Sequence, residues 1–329
     1  MILARAPFRI SLGGGGTDLP SYYSQHGGFI LSAAINKYIY VCVNRPAVDR
    51  LIRIKYANSE TVETVDEIKH DLVRPALKLL QVSDNIEIAS MADAPSGTGL
   101  GSSSSYLVAL LAALHELQRV KVETQELAET AFHIEMELAG HPVGKHDMYL
   151  AAFGGVTCLD IAPDGKVAVS PLEGFEHHAL EFRNRVMLFF TGRSRASGTI
   201  LGEQKQQTEK ADPVMVESLN KTKELGHTIR TALQTGDIDR FGELLDVHWE
   251  NKKRRGGAIT HPRLDFCYKV AKENGALGGK IIGAGGGGFF MFCCRPGRRK
   301  FLREALLNEG LTEMPYGFDN EGAKVLVNI

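Results

Sequence analysis

The chain has 329 residues, 43% hydrophobic and 23% charged, with a formal net charge of −1. That length suits one large or two ordinary domains, and the composition supports a substantial core and argues against general disorder. Balanced charge excludes a chain-wide attraction to nucleic acid or an anionic membrane, though not a local basic site.

Arg5 and Arg9 interrupt the opening apolar stretch, so it does not read as a signal peptide. "ILARAPFRISL", "FILSAAINKYIYVCVNRP" and "LIRIKYAN" read as strands, rich in Ile, Val, Tyr and Phe. "DEIKHDLVRPALKLLQV" has helical spacing, with a break expected at Pro75, and "NIEIAS" alternates as a strand. "YLVALLAALHELQRV" is apolar nearly all round and reads as a buried helix. "TQELAETAFHIEMELAG" is a second helix, with Thr124 as N-cap and Gly140 as stop. "GGVTCLDI" and "RNRVMLFFTG" read as strands. Beyond about residue 196 come long helical stretches, then strand–turn–strand in "KIIGAGGGGFFMFCC", a helix near Arg298–Asn308, and a last strand "AKVLVNI". This is an α+β chain with its boundary between Ile161 and Arg185. No run of about eighteen apolar residues suggests a transmembrane helix. The five cysteines, Cys42, Cys158, Cys267, Cys293 and Cys294, lack paired spacing and read as reduced thiols of a cytoplasmic protein.

Three glycine clusters punctuate these elements: Gly13–Gly16, "SGTGLGSSSS" from Ser96, and "GAGGGG" from Gly283. The middle one follows a strand and opens the buried helix. Glycines there let the backbone approach a ligand, and the helix N-terminus offers unpaired N–H groups to an anion. The alternative is a flexible turn with a serine cap. The loop has no Lys, so it is not a Walker A loop, and Ser102 breaks the G-x-G-x-x-G pattern.

Projected at about 100° per residue, the second helix places Glu135 amid an apolar stripe of Leu127, Ala128, Ala131, Ile134, Leu138 and Ala139. A carboxylate there is a metal ligand or half of a buried ion pair. Asp147 either caps a short helix Met148–Phe153 or, beside Lys145 and His146, serves as a base.

The stretches "APFRISLGGGGTDLP", "PSGTGLGSSSS" and "GKIIGAGGGGFFMF" resemble, in order, the three motifs of the GHMP kinases (galactokinase, homoserine kinase, mevalonate kinase and phosphomevalonate kinase), and together they span nearly the whole chain. The resemblance implies a two-domain kinase with its active site between a ribosomal-protein-S5-domain-2-like domain (residues 1–175) and a ferredoxin-like one (residues 176–329). It implies ATP and Mg²⁺ as cofactors. Pro95, Gly97, Gly99, Leu100, Gly101, Ser102, Ser103 and Ser104 would wrap the ATP phosphates, with Ser103 and Glu135 holding Mg²⁺. Asp147 would be catalytic, with Arg9 beside it. Gly15, Gly16, Thr17, Asp18, Gly286 and Gly287 would meet the sugar.

Galactokinase-like sequences carry Glu-His where Gly15 and Gly16 stand before Thr17 and Asp18, so a bulkier sugar is expected here. Met148 stands where they have Gln. "GGGGTDLPSYY", "GKHDMYLAAFGG" and "HWENKKR" resemble the heptose 7-phosphate kinase subgroup, with fucokinase domains as relatives. A sugar phosphate requires a second anion site. Lys145, His146, Arg193 and Arg195 are candidates, whereas Lys252–Arg255 reads as a solvated helix end or a further candidate. Partners are therefore a small-molecule sugar phosphate, with neither nucleic acid nor membrane; a homodimer stays open.

Overall fold

The computed structural model describes residues 1–194 and 198–329. Arg195 lies outside the described residues. In the first half, β1 (Ile2–Gly13), α1 (Pro20–His26), β2 (Gly28–Asn44), β3 (Ile52–Lys55), β4 (Ser59–Val62), α2 (Val73–Leu79), β5 (Ile86–Ala92), α3 (Ser102–Gln118), α4 (Thr124–Phe132), α5 (His146–Phe153), β6 (Val156–Ile161) and β7 (Val167–Pro171) succeed one another. The second half contains α6 (Ala179–Arg185), β8 (Val186–Phe190), α7 (Gly198–Glu209), α8 (Pro213–Gln234), α9 (Ile238–Lys253), α10 (Pro262–Glu273), β9 (Ala276–Ile281), β10 (Phe289–Cys294), α11 (Arg299–Asn308), β11 (Thr312–Glu313) and β12 (Lys324–Asn328).

Two sheets result. The first runs β12-β1-β2-β5-β3-β4, and the long β2 also pairs through its first six residues with β6, which carries β7. Its second half pairs with β5. The second sheet runs β11-β8-β10-β9. β12 pairs antiparallel with β1, so the last residues belong to the first sheet although they follow the second in sequence.

The run FFMFCC in β10 is apolar at every position, as expected for a strand covered on both faces. Phe289, Met291 and Cys293 face a core shared with the first sheet, α3 and α8; Phe290, Phe292 and Cys294 face a second core with Trp249 and Leu302. The two halves thus share one core. α3 is buried from Ser104 to Leu111, consistent with its all-round apolar sequence.

Four local expectations change. Pro75 sits in the first turn of α2, where N–H groups have no intrahelical partner, so it starts the helix instead of breaking it. Thr124 is the first helical residue and Glu123 occupies the cap. α5 begins at His146, leaving Asp147 inside its first turn with its carboxylate free for other partners. After α4 the chain widens into a π-helical turn, His133–Leu138, where helical projection at 100° no longer applies. The cysteines are all free, and four are buried. No helix among the described residues is long and apolar enough to cross a membrane.

Candidate active site

The cleft has a volume of about 590 Å³ and is lined by parts of all three glycine clusters. β1 sets its floor. The Arg9 N–H donates to the Leu100 carbonyl at 3.1 Å and the Ser105 hydroxyl to that of Pro7 at 2.8 Å, tying the middle loop to the strand. Gly101 precedes α3 in a left-handed conformation without side-chain capping, so the helix presents its first amides and its positive dipole end to the cleft. Ser96, Gly97, Gly99, Gly101, Ser102 and Ser103 line this mouth. Pro95 and Leu100 stand behind it: the Pro95 carbonyl accepts from Thr98, and Leu100 is in the core.

Four charged groups converge beside the helix mouth. Arg9 donates from Nε to Asp147 Oδ1 at 2.6 Å and from its terminal nitrogen to the Gly99 carbonyl at 2.5 Å. His146 lies between two carboxylates, its Nδ1 2.5 Å from Asp18 Oδ2 and its Nε2 2.9 Å from Asp147 Oδ1. The His146 amide also donates to Asp18. Burial disfavours charge on His146, but Asp147 and Asp18 outweigh it and push its pKa up to about 9. Burial likewise opposes charge on Asp147, yet Arg9 and His146 hold it well below the usual carboxylate range; for Asp18, His146 overcomes burial in the same way. Asp147 keeps a fifth of its side chain exposed to the cleft. It is an ionised acceptor aimed at whatever enters.

Glu135 is buried within the π-helical turn. Ser103 donates to its Oε1 at 2.7 Å and Ser104 to its Oε2 at 2.8 Å, while His141 Nδ1 stands 3.9 Å off. No group of three His, Cys, Asp or Glu among the described residues is suited to hold a metal. A hydroxyl and one carboxylate nevertheless fit Mg²⁺, which keeps waters and takes substrate phosphates as its other ligands.

The remaining predicted residues separate. Gly15, Gly16, Asp18, His146 and Gly287 line the cleft; Thr17, Lys145, Arg193 and Gly286 do not. The Thr17 hydroxyl is buried between the carbonyls of Gly14 and Phe29. Lys145 donates to both Glu129 oxygens, at 2.6 and 2.7 Å, and sits over Phe132. Arg193 lines a separate cavity of about 90 Å³ with Arg263 and Glu309. The Gly286 amide donates to Ile259.

Sequence reasoning missed Ser11, His248 and Lys280, and read Lys252–Arg255 mainly as a solvated end; all but Lys253 and Arg254 line the cleft. Two signals were available. His248, Lys252 and Arg255 recur at i, i+4, i+7, one helical face. Lys280 is the one charge in an otherwise apolar strand next to a glycine turn.

The family models for the GHMP kinases N-terminal domain and the GHMP kinases C-terminal region match residues 65–155 and 229–311. The chain is 29% identical to the D-glycero-alpha-D-manno-heptose 7-phosphate kinase of Campylobacter jejuni, over 98% of each chain. It is 25% identical to the galactokinase of Pyrococcus furiosus, over 96% of this chain and 95% of the relative. Among solved structures, a D-glycero-D-manno-heptose 1-phosphate kinase from Bacteroides thetaiotaomicron superposes with a TM-score of 0.83 at 27% identity, covering 100% of both chains. A second structure, from Campylobacter jejuni, gives 0.79 at 28% identity over 98% of this chain and 97% of that one.

Proposed function

The chain belongs to the GHMP kinase family, and from there we propose that it transfers the γ-phosphoryl group of ATP to the anomeric hydroxyl of D-glycero-D-manno-heptose 7-phosphate, giving the 1,7-bisphosphate and ADP. The observation that carries this is the Arg9–Asp147–His146–Asp18 constellation beside the open N-terminus of α3. Asp147 accepts a hydrogen bond from the acceptor hydroxyl and takes its proton as the new P–O bond forms and the bond to the β-phosphate breaks. Arg9 keeps Asp147 ionised and adds positive charge beside the transferring group. Asp18, fixed by His146, binds a sugar hydroxyl. The α3 amides and the loop Ser96–Ser103 hold the ATP phosphates.

Ser103 and Glu135 would hold Mg²⁺, which when bound offsets the charge of the phosphate oxygens. Phosphoryl transfer depends mainly on positioning and charge stabilisation, so this small set suffices. Five free cysteines fit a cytoplasmic enzyme.

A second assignment, to a heptose 1-phosphate as acceptor, is favoured by the similar structure from Bacteroides thetaiotaomicron, which is named a heptose 1-phosphate kinase. Both names describe an acceptor that already carries a phosphate.

The test is Asp147→Asn in an ADP-release assay with heptose 7-phosphate. Turnover should fall by about 10²–10⁴-fold while ATP binding persists. Near-normal turnover in a folded variant would remove Asp147 from the reaction.

A further inference from the structure

The cleft contains basic side chains that the transfer chemistry leaves unused. His248 and Lys252 come from α9, Arg255 from the turn after it, and Lys280 from β9. They are 2%, 7%, 8% and 3% exposed. Among the described residues, none of Lys252, Arg255 and Lys280 forms an ion pair. Lys252 donates to the carbonyls of Ile281, at 3.1 Å, and Gly283, at 2.5 Å. Lys280 donates to Leu12 at 3.1 Å. Arg255 donates to Ser218 at 3.0 Å, to Gly15 at 3.3 Å and to the Thr222 hydroxyl.

The carboxylates of the cleft do not compensate them. Asp18 and Asp147 are held by His146 and Arg9, Glu135 by two serines, and Glu203 is exposed. Burial and the neighbouring cations together push Lys280 down to about 7 and lower Lys252 and His248. Buried cations without a counter-charge are unfavourable, and an entering anion relieves them.

Donor capacity also remains. Lys280 uses one of its three N–H groups, Lys252 two of three, and Arg255 three of five. Both His248 ring nitrogens and the Ser11 hydroxyl are buried without a partner. The location indicates which ligand they meet. Arg255 and Lys280 touch the carbonyls of Gly15 and Leu12, in and next to the first glycine run, and among the described residues neither donates to the α3 segment; Lys252 stands farther along the cleft, at Gly283, whose backbone packs on Gly99.

We propose that Lys252, Arg255 and Lys280, with His248 and Ser11, bind the phosphate that the acceptor already carries and so make the protein selective for a phosphorylated sugar. This rests on the sugar-kinase assignment above.

The experiment compares heptose 7-phosphate with unphosphorylated heptose in the wild-type protein, and then Lys252→Met, Lys280→Met and Arg255→Lys. The wild type should prefer the phosphorylated acceptor by about 100-fold or more in kcat/KM, the worth of two charge-assisted hydrogen bonds. Lys280→Met and Arg255→Lys should each raise KM for that acceptor about tenfold or more, with KM for ATP within about twofold, and Lys252→Met should raise KM for the acceptor more than KM for ATP. Because buried variants can misfold, the wild type is also assayed with inorganic phosphate, which should inhibit competitively against the acceptor and not against ATP. Equal use of both acceptors, competition of phosphate with ATP, or a parallel rise in ATP KM would each overturn the phosphate site while leaving a kinase. Absence of ADP release with every sugar would overturn the kinase assignment and this site with it.

Discussion

Glu135 shows what one residue reveals and conceals. The 100° projection marked it as a carboxylate needing a partner, and it is buried, although the π-helical turn breaks that projection and leaves Leu138 of the projected stripe exposed. Its partners, Ser103 and Ser104, come from α3, more than thirty residues earlier, and His141, whose pKa the carboxylate raises, stands 3.9 Å away. Glu135→Gln retains shape and hydrogen bonding but removes the charge that would hold Mg²⁺. The Mg²⁺ concentration for half-maximal ADP release, titrated at fixed ATP, should rise about tenfold or more. An unchanged Mg²⁺ dependence would reject Glu135 as a ligand. Lys145 is the opposite case. Beside His146 in sequence it resembles a phosphate ligand, but at the cap of α5 its side chain leaves the cleft and pairs with Glu129 on α4.

At the scale of elements, the glycine clusters act as contact surfaces between loops. A Cβ on Gly99 would lie 2.5 Å from the Ile282 carbonyl, and the residue has a φ of +83°. The second and third clusters therefore press backbone against backbone at the mouth of the cleft. Gly99→Ala should destabilise the fold by about 1–3 kcal/mol and raise KM for ATP. Gly192→Ala is the comparison, with φ +76° but nothing within 4 Å of the added Cβ. Urea unfolding midpoints should fall further for Gly99→Ala, and equal midpoints would show that strain alone matters. The clusters stood out in the sequence as expensive stretches. Which glycines serve packing and which leave room for a ligand was not legible, because it depends on the segment lying opposite.

For the whole molecule, the shared core fixes the two halves around a cleft rich in titratable groups, which couples folding to pH. His146 has its folded pKa raised from 6.5 to about 9, so its stabilising charge is fully present below about 6.5 and lost as pH rises through about 9. Asp18 and Asp147 have lowered values and contribute stability above 3.8 that is lost in acid. Lys280, lowered from 10.5 to about 7, acts oppositely to His146: its part of the stability rises with pH between those values. Comparing wild type with His146→Gln isolates the histidine. Melting temperature between pH 6 and 10 should decline more steeply in the wild type than in the variant. Parallel curves would mean that His146 is not the charged link between Asp18 and Asp147.

Alone, the sequence determined the α+β class, most strands and helices, the family resemblance, and the positions of Arg9, Glu135 and Asp147 as candidates. Periodicity, turn chemistry and motif order are local properties, and they can be read along the chain. Only the tertiary structure decided which basic residues face the cleft. It turned Lys145 and Arg193 elsewhere and buried Lys252, Arg255 and Lys280 there. The reason is distance along the chain: the Arg255 contact with Gly15 spans 240 residues, and that of Lys280 with Leu12 spans 268. No local pattern specifies such a meeting; the packing of α8 against β1 and β2, with α9 held between α8 and β9, does.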